Sequence, residues 1–179
     1  DVISLSGVGT DPEDGQLPAS AFTWNIDFLH DGHVHPGQVI TGSKTGTFTI
    51  PTTGHDFEGN TRYRISLTVT DSSGLTKSAV AVIWPEKVNL SFGTTPSSGL
   101  TLFLDGIART APFTIGTLIG FNHTIEARNQ TVGANVHTFA SWSDGGAQTH
   151  VVTAPATPAS YTAIYTVTPA APIGLVGAW

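Results

Sequence analysis

Apolar and polar residues alternate along most of this chain. "FTWNIDFL" puts Phe22, Trp24, Ile26 and Phe28 on one face, and "RYRISLTVT" does the same for Tyr63, Ile65, Leu67 and Val69. "VISLSGV" carries Ile3 and Leu5 near the same period, and "TKSAVAVIW" reads as a buried strand ending near Trp84. A period of two marks a half-buried strand, because successive side chains point to opposite faces. Between these runs stand "DPEDGQLPAS", "PTTGHDFEGN" and "DSSG", which are turn chemistry. No segment sustains a helical period. The predicted strands of this half are 2–8, 22–30, 38–41, 46–50, 62–70 and 75–84.

Pro85-Glu86 interrupts the pattern, since proline cannot donate to a sheet ladder. A second series of short strands follows, from "KVNLSFG" and "LTLFLDG" through "VHTFASWSDGG" to "ASYTAIYTV". The expectation is an all-β protein of two consecutive immunoglobulin-like antiparallel β-sandwiches, 1–85 and 86–167. Residues 168–179 then form a linker, "TPAAPIG", and the strand-like start of a further domain, "GLVGAW". Both ends read as cut from a longer chain.

Composition narrows the class. Charged residues are 11% of the chain, against 20 glycines and 11 prolines, which suits turn-rich β structure. A hydrophobic share of 39% is too high for a disordered chain. With seven Lys and Arg and a net charge of −6, there is no clustered positive charge for nucleic acid or an anionic membrane. No cysteine is present, so disulfides and thiolate metal sites are excluded. No apolar run approaches the ~20 residues of a spanning helix. Low charge with abundant Thr, Ser and Gly suits a secreted or cell-surface protein.

Two groups of strings resemble known modules. Asp11–Gly15 ("DPEDG"), Leu29–Pro36 ("LHDGHVHP") and Leu67–Leu75 ("LTVTDSSGL") resemble a PKD-like, immunoglobulin-type module of secreted bacterial multidomain proteins. Some of these sit beside glucose/sorbosone-dehydrogenase-type propellers. The resemblance covers nearly all of 1–84 and implies one further strand before "DVISL". Ser98–Gly106, Thr110–Thr114, His123–Ala127 and Phe139–His150 resemble a second bacterial module marked by "SWSDGG" and a following Thr-His. "GLVGAW" is similar to the first strand of a laminin-G-like jelly roll. Together these imply a non-catalytic accessory region of a larger extracellular protein, often one acting on carbohydrate. Its partners would be neighbouring domains of the same polypeptide and, as an alternative, a polysaccharide.

Three groups of residues carry candidate chemistry. His30, His33 and His35 fall in "HDGHVHPG", expected as the loop after strand 22–30. If the stretch is extended, His33 and His35 project from one face and could chelate zinc or copper. Counting reversing strands puts this loop at the same pole as "GHDFEG", which supplies His55, Asp56 and Glu58. The alternative is a polar loop whose imidazoles bond backbone groups. At the opposite pole, Asp11, Glu13, Asp14 and Asp71 offer carboxylates to calcium, although Asp before Pro and Asp-Ser-Ser-Gly are ordinary turn formers. Trp142, Asp144 and His150 are the candidate carbohydrate contacts of the second module, with Trp142 as a core plug the competing reading. Trp24 reads as core. No catalytic residue is expected, because G-x-S-x-G, H-E-x-x-H and cysteine are all missing. "TGSKTGT", Thr41–Thr47, reads as a hairpin turn.

Overall fold

The computed structural model of the chain describes residues 1–52 and 57–170. These residues are all-β, apart from a short 3-10 turn at Ala19–Ala21. The chain divides into two compact units, Asp1–Lys87 and Val88–Trp179.

The first unit contains β1 (Val2–Ser6), β2 (Thr10–Asp11), β3 (Gly15–Gln16), β4 (Phe22–His30), β5 (His33–Thr41), β6 (Thr45–Thr49), β7 (Thr61–Thr70) and β8 (Thr76–Ile83). One sheet has the order β5-β4-β7-β8, and β1 pairs with β6 in a second. The alternating rows of β4 and β7 face inward: Phe22, Trp24, Ile26 and Phe28 are at most 9% exposed, as are Tyr63 and Ile65. The β1–β6 ribbon supplies Leu5 and Phe48, and Phe48 meets Tyr63 with ring centroids 4.8 Å apart. Burying such side chains contributes about 1.5–3 kcal/mol each.

"HDGHVHPG" was expected as a loop but is the tip of a hairpin and the first half of its second strand. The turn is only Asp31-Gly32, with Asp31 at φ 49°, and His30 pairs with His33. An Asp-Gly pair closes two-residue hairpins because its residues tolerate positive φ. Pro36 lies within β5, opposite Asp27, where the ladder is irregular between Asn25 and Asp27. An edge strand with a bulge is where proline is accommodated.

"TKSAVAVIW" was expected as a buried strand, but β8 is an edge strand exposed along most of its length. The facing β1–β6 ribbon has two strands against the four of this sheet. A cleft of about 450 Å³ opens there, lined among others by Val8, Leu17, Leu67, Val69, Leu75 and Ala79. "TGSKTGT" also differs from its reading, because it carries the chain from β5 in one sheet to β6 in the other.

The second unit contains β9 (Lys87–Thr95), β10 (Thr101–Leu104), β11 (Ile107–Thr110), β12 (Phe113–Leu118), β13 (Asn122–Glu126), β14 (Gln130–Val132), β15 (Asn135–Trp142), β16 (Thr149–Thr153) and β17 (Ala159–Pro169). Its sheets have the orders β11-β10-β13-β16 and β12-β9-β17-β15-β14. Leu90, Phe92, Leu102, Ile125, Trp142 and Tyr165 belong to its core. The β10–β11, β10–β13, β13–β16, β14–β15 and β15–β17 pairs are antiparallel, whereas β9 and β17 run parallel from Leu90 opposite Ala159 to Thr95 opposite Ile164. The purely antiparallel expectation is corrected there: the first and last strands of the unit are central neighbours. β17 also continues to Pro169, so the linker predicted from 168 begins inside a strand. "GLVGAW" lies outside the described residues.

Candidate functional site

At the hairpin tip of the first unit, the inward row of β4 ends in imidazole. The rings of His30 and His33 lie 5.6 Å apart, and those of His33 and His35 lie 5.1 Å apart, both edge to face. Phe28 stacks on His30 at 6.2 Å and packs against His35 at 5.9 Å. The cluster therefore closes the hydrophobic core. The tip is tied to the segment before β7: His30 Nε2 lies 3.0 Å from the Glu58 carbonyl. Asp31 Oδ1 accepts from the Asn60 amide at 3.1 Å, and the Asp31 amide donates to the Asn60 carbonyl at 3.1 Å. The pole deduced by counting strands is thus where these two segments meet. Among the described residues no three His, Cys, Asp or Glu side chains are arranged to hold a metal ion. His55 and Asp56, counted as possible ligands, lie outside the described residues.

At the opposite pole the acidic loops also meet. Asp14 accepts from the Ser72 amide at 2.8 Å and the Ser72 hydroxyl at 2.7 Å. Asp11 Oδ1 accepts from the amides of Glu13 and Asp14. Asp71 Oδ1 accepts from the Ser73 hydroxyl and amide and from the Leu75 amide, at 2.7, 2.9 and 2.8 Å. The Ser73 hydroxyl bond is the leading reason the Asp71 carboxyl sits below its ordinary pKa, with backbone amides adding to it. Asp11 and Asp71 close their own turns, as the turn reading expects, while Asp14 ties its turn to the one at Ser72.

In the second unit, Trp142 is 2% exposed, and its Nε1 donates to the Gln148 carbonyl at 3.2 Å. The reading of Trp142 as a ligand platform is therefore overturned: its ring is spent on the core. Asp144 accepts from His150 Nε2 at 2.9 Å and from the Gly146 amide at 3.1 Å. The Nδ1 of His150 lies 2.7 Å from the Ala147 carbonyl. Burial pushes the Asp144 carboxyl up, but the His150 and Gly146 bonds outweigh it, and the pKa lies below the ordinary value. "SWSDGG…H" is thus a turn clip beneath a buried indole.

Sequence reasoning passed over a second histidine network. Thr117 Oγ1 lies 2.7 Å from His123 Nε2, and His123 Nδ1 lies 2.7 Å from Asp105 Oδ2. That order of hydroxyl, imidazole and carboxylate is the order of a hydrolase triad. Thr117 is 2% exposed and His123 6%, so no substrate reaches the hydroxyl. Asp105 also accepts from the Thr124 amide at 2.8 Å, which fixes the β10–β11 turn to β13. The signal available in sequence was "LDG", an Asp-Gly pair like Asp31-Gly32, here with both residues at positive φ, 51° and 80°. His137 is also buried at 3% exposure, and its Nδ1 has no hydrogen-bond partner.

Trp84 was read as the end of a buried strand. It is 61% exposed, and the Arg62 guanidinium lies 5.4 Å from its ring centroid. The outward face of β4 and β7 beside it carries Asp27 and Arg64, with Arg64 donating from Nη2 at 2.6 Å and from Nε at 3.2 Å to one oxygen of Asp27.

No family model matches the chain, and no curated protein matches it. Among the described residues no helix is long and apolar enough to cross a membrane.

Proposed function

We propose that the chain is a pair of non-catalytic accessory modules of a secreted multidomain protein, spacing or presenting neighbouring domains. One observation carries the reading. The groups with the chemistry for catalysis, His123 with Thr117 and His150 with Asp144, are spent inside the second unit on hydrogen bonds that pin turns and strands. The low charge with abundant Thr, Ser and Gly supports an extracellular setting, as does the resemblance of the "DPEDG" and "SWSDGG" strings to secreted modules. The test is an activity screen of the purified chain on chromogenic glycosides, esters and phosphomonoesters. The expected result is no turnover. Turnover abolished by His123→Leu or His150→Gln would overturn the reading.

A second reading rests on the spacing of the imidazoles. His33 and His35 project from one face of β5 with ring centroids 5.1 Å apart, and supply two of the nitrogens that zinc or copper takes. A metal held there would brace the hairpin tip of a unit that has no disulfide. Elemental analysis of protein purified without a histidine tag would then find stoichiometric metal, and a chelator would lower the melting temperature. Metal-free protein with unchanged melting would end this reading.

A further inference from the structure

We propose that the outward face of the β5-β4-β7-β8 sheet binds an acidic polysaccharide, with the Trp84 indole stacking on a sugar ring and Arg62 pairing with its carboxylate.

The argument begins with exposure. Trp24 and Trp142 are 5% and 2% exposed and serve their cores, whereas Trp84 is 61% exposed. An indole left in water beside polar groups is a surface suited to recognition. The C–H face of a pyranose stacks on such a ring. Val80 and Val82, 61% and 47% exposed on the same side of β8, extend the apolar strip.

Charge decides the kind of sugar. Arg62 lies over the Trp84 ring, and among the described residues no carboxylate stands within ion-pair distance of it. Arg64, two residues on and on the same face, is neutralised by Asp27. Among the described residues, Arg62 is thus the guanidinium of this face that no carboxylate neutralises, in a chain of net charge −6. A uronate ring presents a C–H face and a carboxylate together, and the adjacent indole and guanidinium match both. Guanidinium and carboxylate pair as a planar fork.

The neighbouring strands supply partners for hydroxyls. Asp27 and Asn25 on β4, and Ser66 on β7, share this outward face, as the register Asp27–Arg64 and Asn25–Ser66 requires. Strands about 4.8 Å apart put β4 about 10 Å from β8, room for more than one sugar unit. Asp27 also accepts from hydroxyls, and a single cation is too little for the run of phosphates in a nucleic-acid backbone. That favours a polyuronate over a single-stranded nucleic acid, which would also stack on Trp84.

The proposal does not depend on the spacer reading, and a chain without glycan affinity leaves that reading intact. The test is affinity electrophoresis of the whole chain in gels containing polygalacturonate, alginate or dextran, with calorimetry on oligogalacturonates. Polyuronates are expected to retard the chain, dextran is not, and the retardation falls as salt is raised. Trp84→Ala and Arg62→Gln each weaken binding by about tenfold or more, while Arg128→Gln, in the other unit, leaves it unchanged. Melting curves show whether each variant folds, and should Trp84→Ala unfold, Arg62→Gln decides. The proposal is overturned by equal retardation in dextran, by tighter binding of single-stranded DNA, by unchanged binding in both variants, or by no retardation at all.

Discussion

Replacing His123 by leucine removes the partner of a hydroxyl that has nowhere else to turn. Thr117 Oγ1, 2.7 Å from His123 Nε2, would be left unpaired in a site 2% exposed. A stability loss of about 1–3 kcal/mol is expected, read by denaturant unfolding. Adding Thr117→Val to the same chain should recover part of it, because removing both partners costs less than orphaning one. Ionisation at single residues also sets the pH range. Burial pushes the Tyr63 phenol up to about 12. Its folded value lies above its unfolded one, so the stability it contributes is present below the ordinary phenol pKa and lost as pH rises toward 12. Tyr161 and Tyr165 are raised as well, chiefly by burial. Ultraviolet titration should therefore show phenolate appearing late, together with unfolding. Asp144 has the opposite sign. Its folded pKa is lowered, so its contribution is present above the ordinary carboxylate value and lost as pH falls through the folded one. Asp144→Asn should flatten the acid limb of a plot of melting temperature against pH.

At the scale of the element, the β4–β5 hairpin shows where reading by pattern succeeds and where it fails. β4 was legible to its last residue because Phe22, Trp24, Ile26 and Phe28 alternate without a break. β5 was read as 38–41 because Pro36 and Gly37 looked like loop formers and three histidines looked polar. In the fold the histidine side chains pack on Phe28 and on each other, and the bulge absorbs the proline. The Asp-Gly pair was the stronger signal, since a two-residue turn dictates a hairpin. Gly37 is fixed by a different demand: a Cβ there would stand 2.4 Å from the Ile26 carbonyl oxygen. Gly37→Ala should therefore force the edge strand away from β4, with a lower melting temperature and faster amide exchange at the Asn25 and Asp27 pairs. Gly32→Ala, where a Cβ meets nothing within 4 Å, is the matched control.

The whole molecule divides into two units with separate cores, and each is expected to fold alone. Residues 1–87 and 88–170 expressed separately should each melt cooperatively with β-type circular dichroism, and a fragment that stays unfolded would show that its core depends on the other unit. Much of this scale was set by the sequence alone. A period of two in run after run can bury one face only in sheets, and turn residues between the runs cut them into strands. Absent cysteine and sparse positive charge removed whole classes of chemistry. Strand counting even brought the right loops together, as Asp14 with Ser72 and His30 with Glu58 attest. What tertiary structure alone decided was which side of each element faces water. Trp142 and Trp84 both end apolar runs, yet one is 2% exposed and the other 61%. Burial depends on what packs opposite: β9 and β17 lie together at the centre of a sheet in the second unit, while β8 in the first unit is an edge strand beside an open cleft. A residue's own neighbours in sequence say nothing about that distant partner, so no pattern around Trp142 or Trp84 could tell the buried indole from the exposed one.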